Sequence, residues 1–367
     1  MGTRRHREYV LDVAAQYAPI FEACVLVVCV LFALYAIRLR SASGFSMPQS
    51  PAIEVAVVVA LILFIGLRPL NGVFIDMLTY ARAFLGVQSG NRVVDYGDPA
   101  FNALVELLAP RISLTAFFVV CAALYVVPLY LACRRWFSSL ASAGFLMILG
   151  SFSFWSYGVN GIRNGIATSI FILAMSTRRP WLRYAFFALA VGFHLSMLIP
   201  LVAYILVTLI KPVSAFFVVW VLSIPFSLLA GSAFQTLFSG LDVGDSRLNY
   251  LTSAIDSSRF SASGFRLDFV LYSATAVVAG AYYVYGKKFE LEDYRRLLGT
   301  YLTSNAMWIL IIGSSYSNRF AYLSWFLIPV VLIFPLLRAE IVVQQRVKIA
   351  ALLLANVAFT IGLTILL

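Results

Sequence analysis

Charge is scarce in this sequence. Asp, Glu, Lys and Arg together make up 12% of its 367 residues, against about 25% in a typical soluble domain. Histidine is scarcer still: only His6 and His194 are present. So few charges cannot cover the core that 62% hydrophobic residues would demand, which excludes a soluble enzyme, a disordered scaffold and a DNA-binding domain. The four cysteines, Cys24, Cys29, Cys121 and Cys133, lie in or beside apolar runs and not in loops. They therefore read as small core residues and not as a disulfide framework. Two histidines and four such cysteines make no His/Cys metal site at any standard spacing, although a carboxylate site for a hard cation stays open. There is no GxxxxGK[ST] phosphate loop.

What is there is a succession of apolar runs. A membrane-spanning helix needs about 20 apolar residues, and residues 19–37, 52–67, 113–133, 213–230, 268–285, 297–313, 320–337 and 349–366 meet that description. Residues 141–177 are apolar but broken by Gly158-Val159-Asn160-Gly161-Ile162-Arg163-Asn164-Gly165. Residues 184–210 carry no charge, and are too long for one helix and short for two, with His194 and Pro200 near the middle. The net charge of +11 is read as topology before it is read as a nucleic-acid footprint. The basic clusters near residues 38–40, 134–135, 178–183, 211, 287–296 and 338–348 share one face only if each ambiguous region crosses twice or re-enters.

That reading gives an all-α polytopic integral membrane protein of about twelve segments, some short or broken, forming a single transmembrane domain over residues 1–367. Nearly all the net positive charge then falls on the cytoplasmic face. Arg4-Arg5-His6-Arg7 falls outside, against the usual bias, and the first run is kept as a helix and not a cleaved leader.

Two stretches, 68–112 and 231–267, become outer-face loops. In the first, Phe74, Leu78, Ala81 and Leu85 share one side of an expected interfacial helix, with Asp76 and Tyr80 on the wet side. A second helix is expected from Asp98-Pro99, with Asp98 as N-cap and a stripe of Phe101, Leu104 and Leu108.

Ionisable groups at apolar segments are costly and mark function by default. Arg68 ends the second run, Arg163 lies in the glycine-rich break, His194 divides the 184–210 run and Arg319 opens a late span. All four fall on the outer face in this topology. Arginine suits a phosphate because its planar fork bonds two oxygens and never loses its charge. A helix starting at Arg163 would also aim its N-terminus at such an anion. Each residue has a plainer reading: Arg68 snorkelling, His194 hydrogen-bonded in a core, Asp98 as a helix cap, Asp76 and Tyr80 as a wet helix face.

Several short patterns occur in order. Leu67-Arg68, Gly72, Asp76 and Tyr80 come first, then Asp98-Pro99-Ala100-Phe101, then Asn160-Gly161-Ile162-Arg163-Asn164-Gly165-Ile166-Ala167. Phe193-His194-Leu195-Ser196 and Asn318-Arg319-Phe320-Ala321-Tyr322 follow. Together they resemble the motifs of the EpsG family, the Wzy-like bacterial exopolysaccharide polymerases. The resemblance implies a GT-C-like architecture in the bacterial plasma membrane and an active site on its outer, periplasmic or extracellular face. It implies a substrate of oligosaccharide repeat units on undecaprenyl pyrophosphate, polymerised without cofactor or metal, with a flippase and a chain-length regulator as partners and no nucleic acid. Arg68, Arg163 and Arg319 would then hold the pyrophosphate. His194, Asp98 and Asp76 would serve as catalytic acid–base groups, and Tyr80, Asn160, Asn318 and Tyr250 would contact substrate. The rival readings are an O-antigen-type ligase, a metal-dependent transferase using Asp95 and Asp98, and a lipid-linked oligosaccharide flippase. Against the last, no internal repeat is visible.

Overall fold

A computed structural model describes residues 2–38, 50–91, 95–239, 265–314 and 317–366. Among them the regular structure is helical, and the chain forms a polytopic α-helical membrane protein. The helices are α1 (Gly2–Arg38), α2 (Pro51–Gly66), α3 (Met77–Gln88), α4 (Pro99–Leu108), α5 (Leu114–Phe137), α6 (Ala141–Leu149), α7 (Phe152–Val159) and α8 (Ile162–Ser176). There follow α9 (Pro180–Phe193), α10 (Leu198–Leu209), α11 (Val213–Ser239), α12 (Leu267–Ala281), α13 (Glu292–Leu310), α14 (Ser317–Trp325), α15 (Ile328–Arg338) and α16 (Gln345–Leu366). Six helical stretches among the described residues are long and apolar enough to cross a bilayer: Val13–Arg38, Leu114–Leu149, Val213–Phe234, Leu267–Gly286, Arg319–Arg338 and Gln345–Ile365. The other apolar helices, among them α2, α8, α9 and α10, are shorter.

The two ambiguous regions resolve into short helices. Residues 141–177 break twice, at Gly150-Ser151 and at Asn160-Gly161, giving α6, α7 and α8. The 184–210 run breaks at His194, between α9 and a 3-10 turn, Leu195–Met197, that leads into α10. Cys29, Cys121 and Cys133 are buried free thiols and Cys24 is an exposed one.

Contacts divide the chain into two compact units: Met1–His194 with Leu336–Leu367, and Leu195–Pro335. In the first, α5 packs on α2, α6 and α8, α8 on α9, and α1 on α16. The sequence sets this up locally. Pro51 at the first position of α2 has no N–H to leave unsatisfied, and Ser113 caps α5 by accepting from the Ala116 N–H at 3.2 Å. Glu54 near the start of α2 accepts from Tyr130, Arg134 and Ser142 at 2.7, 3.1 and 2.9 Å. At the other end of α2, a Cβ on Gly66 would lie 2.6 Å from Val119 Cα. Glycine therefore lets the end of α2 sit directly on the start of α5, and α2 runs antiparallel to α5. In the second unit α13 is the centre, packed by α10, α11 and α14. Its buried Asn305 accepts from Trp220 at 2.7 Å and donates to Ser273 and Ser324 at 3.1 and 2.9 Å.

Both expected amphipathic helices exist, but their buried faces differ from the expected ones. In α3 the buried residues are Met77, Tyr80, Ala81, Ala83 and Phe84, while Leu85 is 45% exposed and Leu78 half-buried. Tyr80, expected on the wet side, is buried because α3 turns that side onto α4 and α5. In α4 the buried residues are Phe101 and Val105, a line that continues to Ala109 just past the helix end, and the expected Leu104 and Leu108 are only half-buried.

Candidate active site

Arg68 follows the end of α2, where the last carbonyls lack helical partners. It answers them itself: Nη1 donates to Ile65 O at 2.6 Å, and Nη2 reaches across to Val159 O, the end of α7, at 3.0 Å. The guanidinium lies 5.4 Å from the ring centres of both Phe74 and Phe118. It is 4% exposed, and its Nε has no hydrogen-bond partner among the described residues. Arg68 thus ties the end of α2 to the turn that leads into α8.

That turn carries Asn160, Gly161 and Arg163. Asn160 closes α7, its N–H donating to Ser156 O at 3.0 Å, and its buried Oδ1 has no partner among the described residues. Gly165 is required by a close approach: a Cβ there would lie 2.6 Å from Tyr157 O. With no side chain at 165, α8 starts tight against the last turn of α7 and Arg163 emerges in its first turn.

Arg163 reaches out of α8 into the α3–α4 segment. Nη1 pairs with Asp98 Oδ2 and also donates to Tyr96 O at 3.4 Å, and Nε donates to Tyr80 Oη at 3.3 Å. Its guanidinium stands 4.7 Å from the Tyr96 ring centre. Tyr80, Tyr96 and Phe101 contact one another at 5.4 to 6.0 Å between ring centres, so the ion pair sits in an aromatic box. The Asp98 side chain is 4% exposed and that of Arg163 19%. Asp98 occupies the N-cap position of α4, as its sequence context indicates, yet its carboxylate makes no capping bond. The expected capping role is corrected: an arginine 65 residues away takes the carboxylate instead.

Asp76 stands before α3, half-buried and without a side-chain capping bond. It is near enough to act on Tyr96, whose hydroxyl is pushed up first by burial, then by Tyr80 and by Asp76, with Arg163 opposing. Asp95 accepts from the Gly97 N–H and the Asn102 amide at 2.8 and 2.9 Å, which hold its carboxyl below the usual range. Asp95 and Asp98 are therefore committed to different partners. Among the described residues no three His, Cys, Asp or Glu side chains come together.

His194 ends α9 in extended conformation, buried, its N–H donating to Ala190 O at 3.0 Å. Helices α8 and α9 pack together after a turn of three residues, 177–179, and have 15 and 14 residues. At 1.5 Å per residue both are about 21–22 Å long, so His194 returns to the end of the hairpin where Arg163 begins. A Cβ on Gly192 would meet Ala100 Cβ at 3.1 Å, which seats this end of α9 on the start of α4, two residues after Asp98.

The first unit thus brings together Arg163, Asp98 and Tyr80 in direct contact. Asp76 is beside them, Arg68 and Asn160 hold the same turn, and His194 lies at the same helix ends. Arg319 is exposed on α14, in the second unit, and Asn318 lies in the same helix. Tyr250 lies outside the described residues. The sequence reading missed Tyr96, which forms the near wall of the arginine site. Its only signal was an aromatic two residues before Asp98-Pro99.

A family model described as the EpsG family matches residues 53–366. The match runs from α2 to the end of α16 and contains every residue of this site. Comparisons with curated proteins and with solved structures return no match.

Proposed function

The chain belongs to the EpsG family and so is a membrane protein of the polysaccharide-polymerase type; from that premise we propose that it joins oligosaccharide repeat units carried on undecaprenyl pyrophosphate, at the outer face of the bacterial plasma membrane. The observation that carries this reading is the buried Arg163–Asp98 pair walled by Tyr80 and Tyr96. An arginine so placed has a charge already desolvated and a fork already oriented, which is what a developing pyrophosphate charge needs.

In the reaction an acceptor sugar hydroxyl attacks the anomeric carbon of the donor. The bond from that carbon to the pyrophosphate oxygen breaks, and undecaprenyl pyrophosphate leaves with the electron pair. Arg163 exchanges Asp98 for the leaving oxygens, and Asp98, released, becomes available as a base. His194 is the other base, imidazole being the side chain best suited to exchange a proton near neutral pH. Asp76 keeps a supporting acidic role beside Tyr96. Arg68 acts mainly by position, because both of its terminal nitrogens hold backbone carbonyls. Tyr80 and Asn160 border the sugar-binding side, and Arg319 and Asn318 keep the roles that family resemblance implies. A flippase that delivers the substrate and a chain-length regulator are the partners that the family resemblance implies. The reaction as proposed uses no metal, because Arg163 supplies the positive charge that a divalent cation would otherwise bring to the leaving group.

The test is polymer formation by the purified protein on lipid-linked repeat units. Replacing Arg163 with Ala is expected to lower the rate at least about 100-fold, the loss seen when a main charge-stabilising donor is removed. Chelation with EDTA is expected to leave the wild-type rate unchanged, and a loss with EDTA would favour the metal-dependent transferase.

A further inference from the structure

At the end of the α8–α9 hairpin remote from Arg163, a cavity of about 560 Å³ is lined by Arg135, Ser176, Thr177, Arg178, Arg179 and Leu182. The turn beneath it is firmly held. Arg135 Nη1 donates to Thr177 Oγ1 at 2.7 Å, Thr177 Oγ1 donates to Leu173 O at 2.7 Å, and Arg183 Nε donates to Thr177 O at 2.8 Å. Arg178 and Arg179 stand exposed on this turn. Among the described residues no carboxylate pairs with Arg135, Arg178 or Arg179. Three guanidinium groups around one cavity repel one another, and an anion with several oxygens relieves that repulsion. The start of α9 adds its N-terminal dipole on the same side.

A second observation sets the level of the cavity. Trp181 and Tyr184, in the first turns of α9, are 67% and 48% exposed. Exposed Trp and Tyr beside an apolar helix belong at the boundary between headgroups and hydrocarbon. Arginines that served only to fix topology would need water around them, with neither a cavity nor a clamped hydroxyl.

We propose that this cavity is a binding site for a net-negative phosphate group, supplied by the headgroup of an anionic lipid or by free phosphate. It stands apart from the Arg163 site, by about the 22 Å length of α8, and does not depend on the polymerase reading.

The experiment uses the full chain in a neutral detergent at fixed ionic strength. Binding of dioleoyl phosphatidylglycerol, dioleoyl phosphatidylcholine and inorganic phosphate is followed by native mass spectrometry and by the unfolding midpoint. Phosphatidylglycerol is expected to bind more tightly than phosphatidylcholine. Its affinity is expected to fall roughly 25-fold in Arg178→Gln/Arg179→Gln, about fivefold for each arginine, and to be unchanged in the control Lys287→Gln/Lys288→Gln. Phosphatidylglycerol binding without phosphate binding assigns the site to a lipid headgroup. Inorganic phosphate binding with the same arginine dependence assigns it to a soluble anion. Equal binding of the two lipids with no phosphate binding, or undiminished affinity in the double variant, overturns the proposal. If the double variant does not fold, Arg179→Gln alone carries the test, with a fivefold loss expected and no loss contradicting it.

Discussion

Arg163 and Asp98 answer each other's charge in a place where water does so poorly. Breaking a buried pair from one side leaves the other charge uncompensated, at a cost of about 3–5 kcal/mol. Asp98→Ala and Arg163→Ala are each expected to lower stability by that order, measured by thermal or denaturant unfolding in detergent. The double variant is expected to lose less than the sum of the two, because residues in one ion pair couple. Strictly additive losses would mean that the pair is not closed in the protein. Half of this was legible in the sequence. An arginine inside an apolar break announces itself by its cost, and Asp98-Pro99 announces a helix start. What the sequence hides is that Asp98 turns away from its own helix: a capping bond is local and visible in spacing, whereas a partner 65 residues distant is not. Tyr96 was missed for the same reason, since a tyrosine near a bilayer looks like an interface anchor until its ring is seen against Arg163.

At the scale of elements, the site depends on how short helices end. The break between α7 and α8 places Arg163, receives Arg68 at Val159 O and holds Asn160 between them. Gly165→Ala drives a methyl group into the Tyr157 carbonyl, so the turn must open. A destabilisation of about 1–3 kcal/mol is expected, together with a fall in polymerisation of more than tenfold, because a shift of about 1 Å in a positioning group is that costly. Gly72→Ala, where the nearest side-chain atom would be 3.7 Å away, is expected to change neither reading. Unfolding curves and polymer yield of the two variants check this directly. The sequence marked both broken regions as unable to form single helices, and the chain does break there. It could not tell which face of α3 or α4 is buried. Both helices are apolar on more than one side, and only packing on α5 and on each other decides between Leu85 and Tyr80.

For the whole molecule, the scarcity of charge pointed to a membrane at once, and the family match confirms a polysaccharide-polymerase type. Six stretches satisfy length and hydropathy among the described residues, whereas the sequence reading counted about twelve segments. The difference lies in α2, α8, α9 and α10, apolar helices of 12 to 16 residues, in α6, which runs on from α5 as one stretch, and in α13, whose Glu292, Asp293, Arg295 and Arg296 lower its hydropathy while its remainder lies buried at the centre of its unit. His194 sits where two such short helices meet. With His194 as the base, His194→Ala is expected to change the shape of the acid limb of the pH–rate profile, because a protonated imidazole cannot take the proton of the attacking hydroxyl. A profile of unchanged shape would pass the role to Asp98.

The most direct test of the central claim separates charge from folding. In Arg163→Gln/Asp98→Asn neither partner is left as a lone buried ion, so the unfolding midpoint is expected to stay near the wild-type value. With no guanidinium to meet the pyrophosphate, polymerisation of lipid-linked repeat units by this variant is expected to fall at least about 100-fold. Long polymer formed at the wild-type rate by the folded double variant would contradict the account.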